Sequence, residues 1–159
     1  MPVRYAIASL MFVAALLGGC RAADYGPDQN GRTVAARELD SHWLVVNYWA
    51  EWCGPCRTEI PELNALANDS KGIKGQGVRV LGVNYDGLRG DDLKKASSDL
   101  GITFTVLADD PAARFALERS EALPATFIID GKGKVRERLL GEQTAAGIKA
   151  KLVALQALP

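Results

Sequence analysis

Residues 44–56 constrain this chain more than any others. Leu44 to Ala50 is a nearly continuous apolar run of β-branched and aromatic residues, the pattern of a central strand buried on both faces. It leads straight into Trp52-Cys53-Gly54-Pro55-Cys56. Beyond it, Arg57 to Asn68 carries Ile60, Leu63, Leu66 and Ala67 at helical spacing, with a kink predicted at Pro61 because proline removes one backbone hydrogen bond. This spacing lets the two sulfurs meet across one turn. The unsatisfied N–H groups of the helix start offer partial positive charge to a thiolate at the first cysteine. A cysteine so placed has a pKa lowered to roughly 3.5–7.5. Cys53 is therefore the candidate nucleophile, and Cys56, one turn inside, is the shielded candidate resolving thiol. Cys53 attacks a partner disulfide, a mixed disulfide forms, and Cys56 releases it.

Competing readings of the pair are weak. A zinc site needs about four ligands, whereas the other candidates are only Cys20 and the single histidine, His42, which reads as a surface residue. A purely structural disulfide closing so short a loop restrains little of the unfolded chain. Gly75-Gln76-Gly77 has Val80 where a dinucleotide fingerprint needs a third glycine, so no nucleotide cofactor is expected. No Ser-His-Asp or metal-carboxylate cluster can be assembled, and the Pro-x-x-x-Thr-x-x-Cys pattern of peroxiredoxins is missing. With 19 basic and 19 acidic residues, the chain also lacks the single-sign field of a nucleic-acid binder.

The third cysteine belongs to a different segment. After Arg4, Ala6 to Gly19 runs 14 residues with Ser9 as the only polar interruption. That suits a signal-peptide apolar region of about 7–15 residues better than a membrane span of about 20. The run ends in Leu17-Gly18-Gly19-Cys20, which resembles the bacterial lipoprotein signal. The resemblance implies removal of residues 1–19 and acylation of Cys20, each buried methylene adding about 0.8 kcal/mol of membrane affinity. The mature chain then carries a formal charge near −1. Residues 20–30, polar and containing Gly26 and Pro27, read as a lipidated tether, and residues 31–159 as one domain outside the cytosol. Arg21 after Cys20 is not the Asp that signals inner-membrane retention in some Gram-negative bacteria, a weak pointer to the outer membrane.

Within the domain, Val78 to Asn84 is a second buried strand, followed by a polar turn over 85–90 and a helix capped by Asp91 that runs to about Leu100. Phe104 to Ala108 is a short strand or extended segment, and Pro111 to Arg119 a short helix. Ala125 to Ile129 and Val135 to Leu140 are strands joined by a glycine-rich hairpin. Thr144 to Leu158 closes the chain as an amphipathic helix. The order defines an α/β fold, a mixed sheet covered by helices.

Val46 to Arg57, with Trp-Cys-Gly-Pro-Cys at its centre, resembles the active-site stretch of the thioredoxin superfamily, and more closely that of TlpA/ResA-type thiol:disulfide oxidoreductases. Leu123-Pro124-Ala125-Thr126 resembles the family's cis-proline before the hairpin strand. The resemblance extends over about Gly31 to Leu158. It implies a thioredoxin-like mixed sheet flanked by helices, with an extra N-terminal strand and a central helical insertion. It further implies that Pro124 lies beside the sulfurs and that the backbone of Leu123 pairs with a substrate peptide, with Trp52, Gly54 and Pro55 bordering the same surface; Trp49 reads as core. Cytosolic thioredoxins place a buried Asp where this chain has Asn47, and an amide cannot take a proton from the inner cysteine. The family supplies an acid from the loop after the next strand, which points to Asp86 as the relay. Glu51, Arg57 and Glu59 read as solvated neighbours.

The implied activity is extracytoplasmic reduction of protein disulfides, with apocytochrome c among the substrates, as a lipid-anchored monomer fed by a membrane thiol carrier of the DsbD/CcdA type. No cofactor is implied beyond the Cys53–Cys56 couple. A periplasmic oxidase or isomerase, or a non-catalytic binding lipoprotein, are the alternatives.

Overall fold

The computed structural model describes residues 23–69 and 77–157. The signal segment, Cys20 and the glycine pair at Gly75 and Gly77 therefore fall outside it or at its margin, as does Leu158. The elements run α1 (Ala36–Leu39), β1 (Trp43–Trp49), α2 (Gly54–Ala67), β2 (Val78–Asn84), α3 (Gly90–Asp99), β3 (Thr105–Leu107), α4 (Ala112–Phe115), β4 (Ala125–Ile129), β5 (Val135–Leu140) and α5 (Ala145–Leu155).

The five strands form one sheet in the order β3-β2-β1-β4-β5. Strand β1 lies at its centre, parallel to β2 and antiparallel to β4, and all seven of its residues are buried. That is why its sequence is apolar without alternation. The strand period divides the seven between two cores. Trp43, Val45 and Trp49 pack with Ile60 and Leu63 of α2 and with Ile148 and Leu152 of α5. Leu44, Val46 and Tyr48 pack with Tyr25, Val34 and Leu39 on the opposite face. Asn47, by the same alternation, points to the α2 face.

Residues 25–29, expected to belong to the tether before Gly31, pack on the domain. Tyr25 is 6% exposed and Asp28 8%; the Tyr25 N–H donates to the Val34 carbonyl and the Val34 N–H to the Gly26 carbonyl, each at 2.9 Å. Gln29 clasps the edge strand, its side chain donating to the Phe104 carbonyl at 3.0 Å and accepting from the Val106 N–H at 2.8 Å. Residues assigned to the tether thus close one face of the sheet. The extra N-terminal strand is reduced to isolated bridges, Pro27 with Thr33 and Asp28 with Leu107. Pro27 has no N–H to donate to a longer ladder, and Gly26 and Gly31 at φ 81° and 79° turn the chain on either side.

Smaller boundaries also shift. Asp91 lies in the first turn of α3, where its charge suits the helix dipole, and Arg89 occupies the cap position without capping the helix, its guanidinium pairing with Asp109 at 2.7 Å. Helix α4 stops at Phe115 because Ala116 turns left-handed at φ 51°.

Candidate active site

Strand β1 delivers the chain to the edge of the sheet at Trp49, and the next turn sets Cys53 as N-cap of α2. Cys53 Sγ accepts the Cys56 N–H at 3.2 Å. A free N–H of the helix start is therefore aimed at the outer sulfur, the geometry that favours its thiolate. Pro55 occupies the first turn, where a missing N–H costs nothing. Cys53 and Cys56 are joined by a disulfide, their Cα atoms 5.3 Å apart. Cys56 is 1% exposed and Cys53 4%, while Gly54 and Pro55 are exposed above them. The Leu123–Pro124 bond is cis, and Leu123, half-buried, packs against the cluster that contains both cysteines.

Trp52 is 67% exposed, the most exposed of the large hydrophobic residues described. Its indole N–H donates to Asp86 Oδ2 at 2.9 Å, and its ring meets Tyr85 edge-on at 6.3 Å. The Arg119 guanidinium lies over Tyr85, 4.1 Å from the ring centre. Asp86 therefore sits on the exposed rim, engaged by the indole; its loop is braced by Asn84 Oδ1, which accepts from the N–H groups of Asp86 and Leu88 at 3.0 and 3.1 Å.

The buried acid of the site is Glu59. Expected to be solvated, it is 1% exposed. It stands one turn after Cys56 on the stripe of α2 that also buries Ile60, Leu63 and Leu66. Oε2 accepts from Asn47 Nδ2 at 2.8 Å and Oε1 from the Gln143 N–H at 3.1 Å. Asn47 Nδ2 also donates to Thr126 Oγ1 at 2.9 Å, its direct partner across β1 and β4. Burial pushes the Glu59 carboxyl up to about 7 against the pull of these bonds, and the charge of Glu142 adds to the rise. A sequence signal for this existed: positions 56, 59, 60, 63 and 66 are one helical face, so an acid on it points inward.

A mixed sheet flanked by helices, with a cysteine pair at a helix start and a cis-proline at the head of the neighbouring strand, is a thioredoxin-like fold. The chain belongs to the AhpC/TSA family, whose model matches residues 19–138. It is 34% identical over 114 residues to the thiol:disulfide interchange protein HelX of Rhodobacter capsulatus, covering 71% of this chain and 60% of HelX. It is 31% identical over 121 residues to the thiol-disulfide oxidoreductase ResA of Bacillus subtilis, covering 76% of this chain and 65% of ResA. The chain thus spans somewhat less than two thirds of the length of either relative. A crystal structure of the thiol:disulfide interchange protein DsbE from Chlorobium tepidum superposes with a TM-score of 0.60 at 27% identity, covering 87% of this chain and 96% of that one.

Proposed function

We propose that this protein is an extracytoplasmic thiol:disulfide oxidoreductase that reduces protein disulfides, apocytochrome c among them. The observation that carries the reading is the Cys56 N–H directed at Cys53 Sγ on the N-terminal turn of α2. In the reduced protein Cys53 is the thiolate. It attacks one sulfur of the partner disulfide, the partner's S–S bond breaks, and the other partner sulfur leaves as a thiolate that takes a proton from solvent. Cys56 then gives its proton to Glu59, directly or by way of a water, and attacks Cys53 Sγ. The mixed disulfide breaks, the second partner sulfur leaves as a thiolate and is protonated, and two electrons have passed from the Cys53–Cys56 dithiol to the partner. A membrane dithiol carrier of the DsbD/CcdA type returns the electrons by the reverse exchange.

Glu59 takes the relay role in preference to Asp86 because it is buried on the same helical stripe as Cys56, whereas Asp86 is held by Trp52 at the rim. Trp52, Gly54, Pro55, the cis-proline Pro124 and the backbone of Leu123 form the surface that receives the partner segment. Acylation at Cys20 anchors the domain to the periplasmic side of a bacterial membrane, and fatty-acid labelling that disappears in Cys20→Ser checks this part.

The exchange mechanism is tested by expressing Cys56→Ser in its native compartment. A mixed disulfide through Cys53 accumulates and is released by dithiothreitol. Absence of any such adduct, with Cys53 still reactive to alkylation, overturns the mechanism.

A further inference from the structure

The hydrogen bonds around Glu59 contain one imbalance. Asn47 is 1% exposed and Thr126 is fully buried, so every polar atom of the group must find its partner inside the protein. Asn47 Nδ2 uses both of its protons, one to Glu59 Oε2 at 2.8 Å and one to Thr126 Oγ1 at 2.9 Å. Asn47 Oδ1, by contrast, is buried with no partner. A carboxamide facing a carboxylate should donate, and this one does; the orphaned oxygen lies on the other side of the same group.

The imbalance has meaning once Glu59 carries a proton. Its Oε1 is committed as an acceptor, because the Gln143 backbone N–H, 3.1 Å away, can only donate. The proton therefore goes on Oε2, the oxygen that faces Asn47. An N–H cannot donate to an O–H that is itself pointing at it, but Oδ1 can accept it. Turning the carboxamide over by 180° brings the orphaned oxygen to Glu59 and to the Thr126 hydroxyl, which reverses from acceptor to donor, a freedom that hydroxyls have. The acid is then bonded to Asn47 in both ionisation states, and the unpartnered position passes from Oδ1 to the carboxamide nitrogen.

We propose that Asn47 is a positioning residue for Glu59, its carboxamide turning over as the acid takes up or gives back the Cys56 proton, with the Thr126 hydroxyl reversing in step. The inference rests on the reading of Glu59 as the acceptor of that proton. An Asp at this position could not donate to an ionised neighbour, and an apolar residue could do neither. The other ionisable groups about Glu59 are few. Cys56 lies on its own helix, with Cys53 at the cap. Glu62 is committed to the Ala145 N–H at 2.8 Å. Glu142, before α5, acts by its charge; β1 and β4 contribute only the neutral Asn47 and Thr126.

The test follows two signals in the full-length protein. In the reduced wild type, the Asn47 side-chain amide resonances and the Glu59 carboxyl carbon titrate with a common midpoint. Reaction with 5,5′-dithiobis(2-nitrobenzoate) then reports the resolving step, because the second thionitrobenzoate is released only when Cys56 attacks the Cys53 adduct. In Asn47→Leu, which can neither donate nor accept, the pH midpoint of that release rises by about 1 unit or more, since the ionised acid loses the donor that Asn47 supplies. Thr126→Val, close in shape, gives a smaller shift in the same direction. Both shifts vanish when Glu59→Gln is added. Asn47 amide resonances that do not follow Glu59, or shifts that persist with Glu59→Gln, overturn the role of Asn47. A Glu59→Gln protein whose release profile matches wild type instead overturns the proton-acceptor reading, and the Asn47 inference with it.

Discussion

The indole N–H of Trp52 donates to Asp86 Oδ2 across 2.9 Å, so a residue on the loop after β2 holds the aromatic side chain that precedes Cys53. An exposed bond of this kind contributes about 1 kcal/mol. Asp86→Asn is expected to keep the pH profile of the thiols, because the group acts on Trp52 and not on Cys56. Asp86→Ala is expected to reduce kcat/KM for a protein disulfide by about three- to tenfold while leaving reaction with a small aromatic disulfide unchanged. Steady-state assays with both substrates check this; an altered thiol titration in Asp86→Asn would restore Asp86 as a relay.

The oxidised protein is expected to lose stability as pH rises from about 4.5 to about 7. Burial lifts the Glu59 carboxyl from 4.5 in the unfolded chain to about 7 in the folded one. Between those values the folded state holds a proton that the unfolded state has released. The stability associated with that proton is complete at low pH and lost as pH climbs through the folded value, amounting to up to about 3 kcal/mol. Urea unfolding of wild type and Glu59→Gln at pH 5 and pH 8 measures it. The glutamine variant should show the smaller difference and be the more stable of the two at pH 8.

Gly82 lies where strand β2 passes under the core. A methyl group there would come within 3.0 Å of Phe104, of Trp49 and of Val106. All three side chains are buried, so none can move freely aside. Gly82→Ala is expected to cost about 1–3 kcal/mol by overpacking. Its urea midpoint, read with the disulfide intact, gives the value directly.

The domain boundary can be found by truncation. A chain beginning at Ala23 keeps Tyr25 in its core and Gln29 on the β3 edge, and its stability should match that of the longer protein. A chain beginning at Gly31 loses both and should be less stable by about 3–5 kcal/mol, the range for removal of a large buried aromatic. Thermal unfolding of the two proteins distinguishes them.

The strands and their order were legible in the sequence because buried strands announce themselves through uninterrupted apolar runs, as in Leu44 to Ala50, and the helix of the Cys-x-x-Cys motif through its 3.6 period. The N-terminal segment was not legible. Tyr25 is one aromatic among Asp24, Gly26, Pro27 and Asp28, and such a stretch has no period; its burial depends on an open sheet face supplied by residues far along the chain.

The site divides in the same way. The sequence by itself picked out the Cys53–Cys56 pair at a helix start and the Leu123–Pro124 bond that the structure holds in cis, because these depend on spacing along one turn and on a short motif. Only the tertiary structure decided which acid is buried behind them. Glu59 and Asp86 are alike as letters; what separates them is that α2 presses Glu59 against Asn47 of β1, Thr126 of β4 and the turn into α5, while Asp86 remains in water beside an indole. Desolvation is a property of what surrounds a group, and those surroundings come from four elements of the chain that meet only when it folds.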